Sequence, residues 1–212
     1  GSCLLAVGTY LRIAWWGLVS PRVESRDLVV VQAVIRDRDR VLLAVRNDLR
    51  GWELPGGTVE GAEKNEAALL REVREETGLS IAVERRVGTY RRTGFRPHLA
   101  HVFLCRVLAG ELRTSRESLA LAWFHSLLLP ETIFPWYRDP LRDAFVPEAD
   151  PVEREQRQGL SEIWEAARID LGMRWRREPR IENAPTANRG GAACEIGSPA
   201  RQRTRGSDPG SD

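Results

Sequence analysis

Three glutamates, Glu72, Glu75 and Glu76, stand at positions i, i+3 and i+4 of a segment rich in Ala, Leu, Glu and Arg. On a helix that spacing puts them on one face. Carboxylates this close repel one another by roughly a few tenths of a kcal/mol even when exposed. Arg71, four residues before Glu75, can offset part of that repulsion. An oxygen-only cluster with no histidine beside it suits a hard cation such as Mg²⁺ or Mn²⁺ and does not suit zinc or copper. Upstream, the Gly56–Gly57 turn has no side chains in the way, so its backbone carbonyls can approach the same spot. Glutamate-rich helices are commonly solvated faces, so three carboxylates alone leave the matter even.

The elements that must hold these residues are legible on either side. Asn65–Thr77 (NEAALLREVREET) reads as a helix: Asn65 is placed to cap its start, Gly78 to end it in the left-handed conformation, and Ala67, Leu70, Val73 and Thr77 to form its inner stripe. Leu28–Ile35 is a β-branched apolar run and Val41–Arg46 a second, so the charged stretch Arg36–Arg40 makes a hairpin turn between two buried strands. Trp52–Gly57 (WELPGG) is an extended approach to the glycine turn. Ile81–Tyr90, His98–Val107 and Ala120–Phe124 read as further strands. A short helix is expected from about Asp139 to Val146. An amphipathic helix is expected over Gln156–Trp175, with Leu160, Ile163, Trp164, Ala167 and Leu171 on its packed face.

Taken together, Gly57, Glu63, Arg71, Glu72, Val73, Glu75, Glu76, Gly78 and Leu79 keep a fixed spacing across twenty-three residues. Seven of these positions are fixed in residue type, each type occurring at roughly 5–7%, so a chance match in a chain of this size is on the order of one in a million. The chain resembles the Nudix (MutT-like) hydrolases, whose signature this is, without a departure. The wider resemblance covers about residues 28–147 and includes WELPGG. It implies an α/β (α+β) sandwich: a mixed β-sheet flanked by helices, with the signature forming loop–helix–loop. It also implies divalent-metal-dependent hydrolysis of the pyrophosphate bond in a nucleoside diphosphate linked to another group. By the family pattern, Glu72 and Glu76 are the principal ligands of Mg²⁺ or Mn²⁺. Glu75 is a third or water-mediated ligand, and the carbonyl of Gly56 or Gly57 completes the shell. Arg71 orients Glu75, and Glu63 is structural, pairing with arginine. Members often use one more glutamate before a late strand, and Glu117, six residues before Trp123, is the candidate. Many relatives also carry an acid where this chain has Ala120.

For attack on phosphorus a carboxylate must take a proton from water. Glu72 and Glu117 are both candidates for that base. Arg46, Arg91, Arg92 and Arg96 are candidates to hold a distal phosphate, with Trp52, Tyr90 and Phe95 as aromatics for base stacking. His98 and His101 fall on opposite faces of one strand, which argues against a metal pair, and His125 reads as structural. Substrates open to such a site are nucleoside triphosphates, nucleotide sugars and dinucleotide polyphosphates. A capped RNA 5′ end is a lesser reading, prompted by the basic tail. Some Nudix-like domains bind nucleotides without catalysis, but those usually lose a ligand glutamate and none is missing here.

The chain has 212 residues, 42% hydrophobic and 29% charged, enough to bury a core without disulfides or metals. A net charge of +2 is too balanced to make nucleic acid the main partner. Lys64 is the only lysine among 32 basic residues, which reads as genome composition. Cys3, Cys105 and Cys194 form no paired pattern, so a reducing, cytoplasmic setting is expected. Residues 1–27, opening on a vector-like Gly1–Ser2, hold an apolar stretch at 4–19. It is expected to be a helix packed on the domain, with a peripheral membrane contact through Trp15 and Trp16 as the alternative. Residues 148–178 are expected to form a helical arm and 179–212 a disordered tail. A homodimer is compatible with the sequence.

Overall fold

The computed structural model describes residues 28–94, 96–147 and 149–178. The apolar stretch 4–19 with its membrane alternative, Phe95, and the tail from residue 179 lie outside the described residues.

The two apolar runs form β1 (Val29–Asp37) and β2 (Arg40–Arg46), joined through Arg38 at a φ of 57°. They pair only at the turn, through Arg36–Val41 and Asp37–Arg40, and then part. β1 runs antiparallel to β4 (Gly56–Thr58) and parallel to β6 (His98–Gly110), while β2 pairs antiparallel with β3 (Trp52–Glu53) and β7 (Ser118–His125). β5 (Leu79–Gly94) and β6 form a long bulged hairpin. The result is one mixed sheet of order β3-β2-β1-β6-β5-β8, with β8 formed by Val152–Gln158, β4 attached to β1 and β7 to β2.

Both faces of this sheet are covered, which is why β1 and β2 read as continuous apolar runs. Val31, Ala33 and Ile35 of β1 pack with Leu42 against Leu69 and Val73 of α1 (Asn65–Thr77). On the other side, Val34, Leu43 and Val45 meet Leu141 of α2 (Arg138–Ala144) and Ala166, Ile169 and Met173 of α3 (Leu160–Trp175). A fully buried Val or Leu contributes roughly 1.5–3 kcal/mol, so Leu69 and Val73 anchor α1 firmly to the sheet.

α1 has the bounds read from the sequence and ends at Gly78 with φ 76°. Two expectations about it are corrected. The capping position is Lys64, without a side-chain cap, and Asn65 is already helical. The inner stripe is Ala68, Leu69, Val73, Glu76 and Thr77, whereas Ala67 is exposed and Leu70 is 41% exposed. The helix is turned so that Leu69 and Glu76 enter the protein while Leu70 stays at the surface.

The C-terminal region differs more. Val152–Gln158 is not helical; it forms β8 and adds in parallel to the edge of β5. In α3 the expected packed face is turned to water: Leu160 is 87% exposed and Trp164 75%. The face that packs holds Ala166, Ile169, Asp170 and Met173. Asp170 can be buried there because Arg174, one turn on, pairs with it at 2.8 Å. Among the described residues, no helix is long and apolar enough to cross a membrane.

Candidate active site

The turn of β4 and the N-terminal half of the sheet bring α1 against the glycines. Gly56 has φ 149°, and a side chain there would overlap the Val31 carbonyl, so only glycine fits. A side chain on Gly57 would overlap the Glu72 carboxylate. The Gly56 N–H donates to Glu76 Oε2 at 2.9 Å. Glu72 and Glu76 therefore flank the glycine turn, and they line one cleft of about 470 Å³ together with Glu75, Glu117, Arg71, Arg46, Arg96, Ser115 and Arg116.

Arg71 holds the loop to the helix. Its guanidinium donates to Glu63 Oε1 at 2.7 Å and to Glu72 Oε1 at 2.9 Å, while Glu75 is a looser partner at 3.8 Å. The arginine thus positions Glu72 more directly than Glu75, and Glu63 is its structural partner. Glu63 also accepts the Glu60 N–H at 2.8 Å, closing the loop.

Glu117 reaches the cleft from another element. The Ser115 hydroxyl accepts the N–H groups of Glu117 and Ser118, each at 3.1 Å. Asn47 ties the same loop to β2: its backbone N–H donates to the Glu117 carbonyl at 2.9 Å and its side-chain amide to the Arg116 carbonyl at 2.5 Å. Among the described residues the Glu117 carboxylate has no hydrogen-bond or ion-pair partner. Ala120, where many relatives carry an acid, is buried at 7% exposure.

The cleft's acids disfavour each other's charge. Burial pushes Glu76 up to about 7, and the nearby charges of Glu72 and Glu117 add to this against the Gly56 N–H and Arg46. Burial also raises Glu72, opposed by Arg71. The carboxylates of this set offer only oxygen donors, which fits a hard divalent cation. Glu72 and Glu76 beside the glycine turn would be its holders. Among the described residues no three acidic, thiol or imidazole side chains are gathered closely enough to form a ready cage, so the fit rests on donor chemistry and charge.

Other expected site residues lie elsewhere. Trp52 is core, 7% exposed and edge-on to Phe124 at 4.7 Å between centroids, so it does not line the cleft. Its ring follows the inward side of β3. Tyr90 is buried and donates to Asp143 at 2.8 Å. Arg92 is 2% exposed, bonded to Gln32, Gln156 and the Trp136 carbonyl, and cannot meet a substrate from there. Arg91 is exposed outside the cleft, whereas Arg46 and Arg96 line it. His98 contacts Arg92 and the Arg96 carbonyl, and burial pushes it down to about 4; His101 contacts Thr89. His125 pairs with Asp39 at 3.1 Å.

Two residues escaped the sequence reading. Arg116 lines the cleft, and its only mark was adjacency to Glu117. Glu53 lies behind the cleft, accepting from the Tyr137 hydroxyl at 3.2 Å and 3.8 Å from Arg46. Burial pushes it up to about 8. A carboxylate between Trp52 and Leu54 in an otherwise apolar approach was the available clue.

Comparison with known proteins gives a consistent result. A family model described as NUDIX domain matches residues 26–144. A MutT-like protein of Streptomyces ambofaciens is 39% identical over 115 residues, covering 54% of this chain and 74% of that protein. An ADP-ribose pyrophosphatase of Methanocaldococcus jannaschii is 34% identical over 119 residues, covering 53% and 70%. A CTP pyrophosphohydrolase of Escherichia coli is 38% identical over 100 residues, covering 44% and 73%. Among solved structures, the MutT protein from Methanosarcina mazei Go1 superposes with a TM-score of 0.50 at 28% identity, covering 55% of this chain and 91% of that one.

Proposed function

Because the chain belongs to the Nudix domain family and is a hydrolase of nucleotide derivatives, we propose that it cleaves the pyrophosphate bond of a nucleoside diphosphate carrying a further group, using Mg²⁺ or Mn²⁺. The observation that supports the metal requirement is that Glu72, Glu76 and Glu117 line one cleft, where burial pushes Glu76 up to about 7. Bound there, a divalent cation would neutralise phosphate charge and favour deprotonation of a nearby water.

The protein's own groups divide the remaining work. Glu72 and Glu76 would hold the cation, with Glu75, 63% exposed in its side chain, as the third carboxylate of the same helix face. Arg71 keeps Glu72 in place. Arg46, Arg96 and Arg116 face the negatively charged substrate, a diphosphate being well suited to guanidinium donors. Of the two base candidates, Glu117 is favoured: its carboxylate is unengaged, whereas Glu72 is bonded to Arg71 and would also hold the cation. The loop that carries it is pinned by Asn47, so the base is presented rather than free to wander. The cleft volume lies within the range usual for small-molecule sites. Relatives named for ADP-ribose and for CTP match to similar extents, so nucleotide sugars and nucleoside triphosphates are the two classes to test. A panel of both, with products separated and assayed with and without Mg²⁺ and Mn²⁺, is the test. Absence of cleavage anywhere in the panel with folded protein would reject the reading.

A further inference from the structure

Arg46 lines the cleft but is held from outside it. Its guanidinium grips Asp48 with two bonds, 2.9 and 3.0 Å, and has Glu53 as a rival partner at 3.8 Å. Asp48 is the nearer of the two acids, and Glu53 is half-buried behind the cleft. Asp48 sits in the connection between β2 and β3, and α3 fixes that connection at two backbone points. The Arg50 N–H donates to Asp170 Oδ1 at 2.6 Å, and Arg174 Nη2 donates to the Asp48 carbonyl at 2.9 Å. Arg174 Nε meanwhile contacts both Asp170 oxygens, at 2.8 and 2.9 Å. Asp170 is 1% and Arg174 14% exposed in their side chains, so the grip is shielded from water.

We propose that the Arg174–Asp170 pair of α3 is a positioning device for the substrate site: by holding Asp48 it aims Arg46 at the phosphates, which makes the C-terminal helix part of that site. The inference rests on reading the cleft as a nucleoside diphosphate site. It adds a contribution from residues beyond the span that the family model matches, 26–144. The bridge needs a forked group, since one nitrogen serves Asp170 and another serves Asp48. A lysine keeps the charge beside Asp170 but offers a single nitrogen.

The test is a double-mutant cycle on full-length protein, measuring calorimetric binding of α,β-methylene-ADP in Mg²⁺. Arg174→Lys is expected to weaken binding about tenfold and to raise KM more than it lowers kcat. In an Arg46→Ala background the same change is expected to have no further effect. Asp48→Asn, at an exposed position that leaves the helix untouched, is expected to behave like Arg174→Lys. It keeps the question answerable if Arg174→Lys folds poorly. Wild-type affinity in Asp48→Asn, or an Arg174→Lys effect as large without Arg46 as with it, would overturn the proposal. Binding is read without turnover: coupling in the cycle with no cleavage in the substrate panel would reject the hydrolytic reading and keep this one.

Discussion

Glu76 is held near its half-protonated state at neutral pH in the absence of metal, because burial and two neighbouring carboxylates lift it from 4.5 to about 7. The folded protein then binds that proton more tightly than the unfolded chain does. The associated stability is fully present below the unfolded value and is lost as pH rises through about 7. The loss has an upper bound of about 3 kcal/mol. Metal-free Glu76→Gln is therefore expected to melt higher than metal-free wild type at pH 8, with the gap closing at pH 5. Mg²⁺ should raise wild type at pH 8 and leave the variant little changed. Thermal melts at the two pH values check this, and a gap that widens toward pH 5 would contradict it. For Glu117, replacement by Gln is expected to lower kcat far more than it raises KM and to remove the acidic limb of the pH–rate profile. Retention of the limb would return the base role to Glu72. The acids of the fixed spacing were legible because residue type and interval carry the chemistry. Glu53 and Arg116 were not, since their relevance comes from contacts between residues far apart in sequence, such as Glu53 with Tyr137.

The glycine turn and α1 act together at the next scale. Gly57 has no positive φ, so alanine there strains no backbone; its methyl instead meets the Glu72 carboxylate. Gly57→Ala is expected to keep the fold and lose at least about tenfold in turnover, with weaker metal binding by titration calorimetry. Unchanged metal affinity would show that Glu72 is not a ligand. The bounds of α1 were readable from composition and from Gly78, while its rotation was not. The sequence pattern favoured burying Leu70, yet placing Glu76 against the Gly56 N–H leaves Leu70 at 41% exposure. In α3 the reading chose the wrong face for a related reason. The helix is apolar on two sides, and burial of Asp170 is made tolerable by Arg174 and the Arg50 N–H, partners the helix pattern does not show. Strand β8 (VEREQRQ) has no apolar alternation, as suits an edge strand, so its charged residues looked like the start of a helix.

At the scale of the molecule, β8 and α3 are joined to the rest through pairing along β5 from Gly88 to Gly94 and through Ala166, Ile169 and Met173 in the core. Ending the chain after Val146 is expected to lower the melting midpoint by more than about 10 °C. Ending it after Glu178 removes only residues poor in apolar side chains and is expected to change neither midpoint nor hydrolysis. A large drop from the second truncation, measured by the same melts, would assign those residues a packed role. The sheet apart from β8 was legible from its apolar runs, but the closure of the β2–β3 connection by α3 was not, because Asp48 and Arg174 are distant in sequence. The central claim is cation-dependent pyrophosphate hydrolysis at Glu72 and Glu76. Its most direct test compares wild type and Glu76→Gln by product-resolved hydrolysis of the best substrate in the panel, across a Mg²⁺ titration. The account predicts Mg²⁺-dependent cleavage by wild type and at least about 100-fold slower turnover by a folded Glu76→Gln; wild-type rates from the folded variant would contradict it.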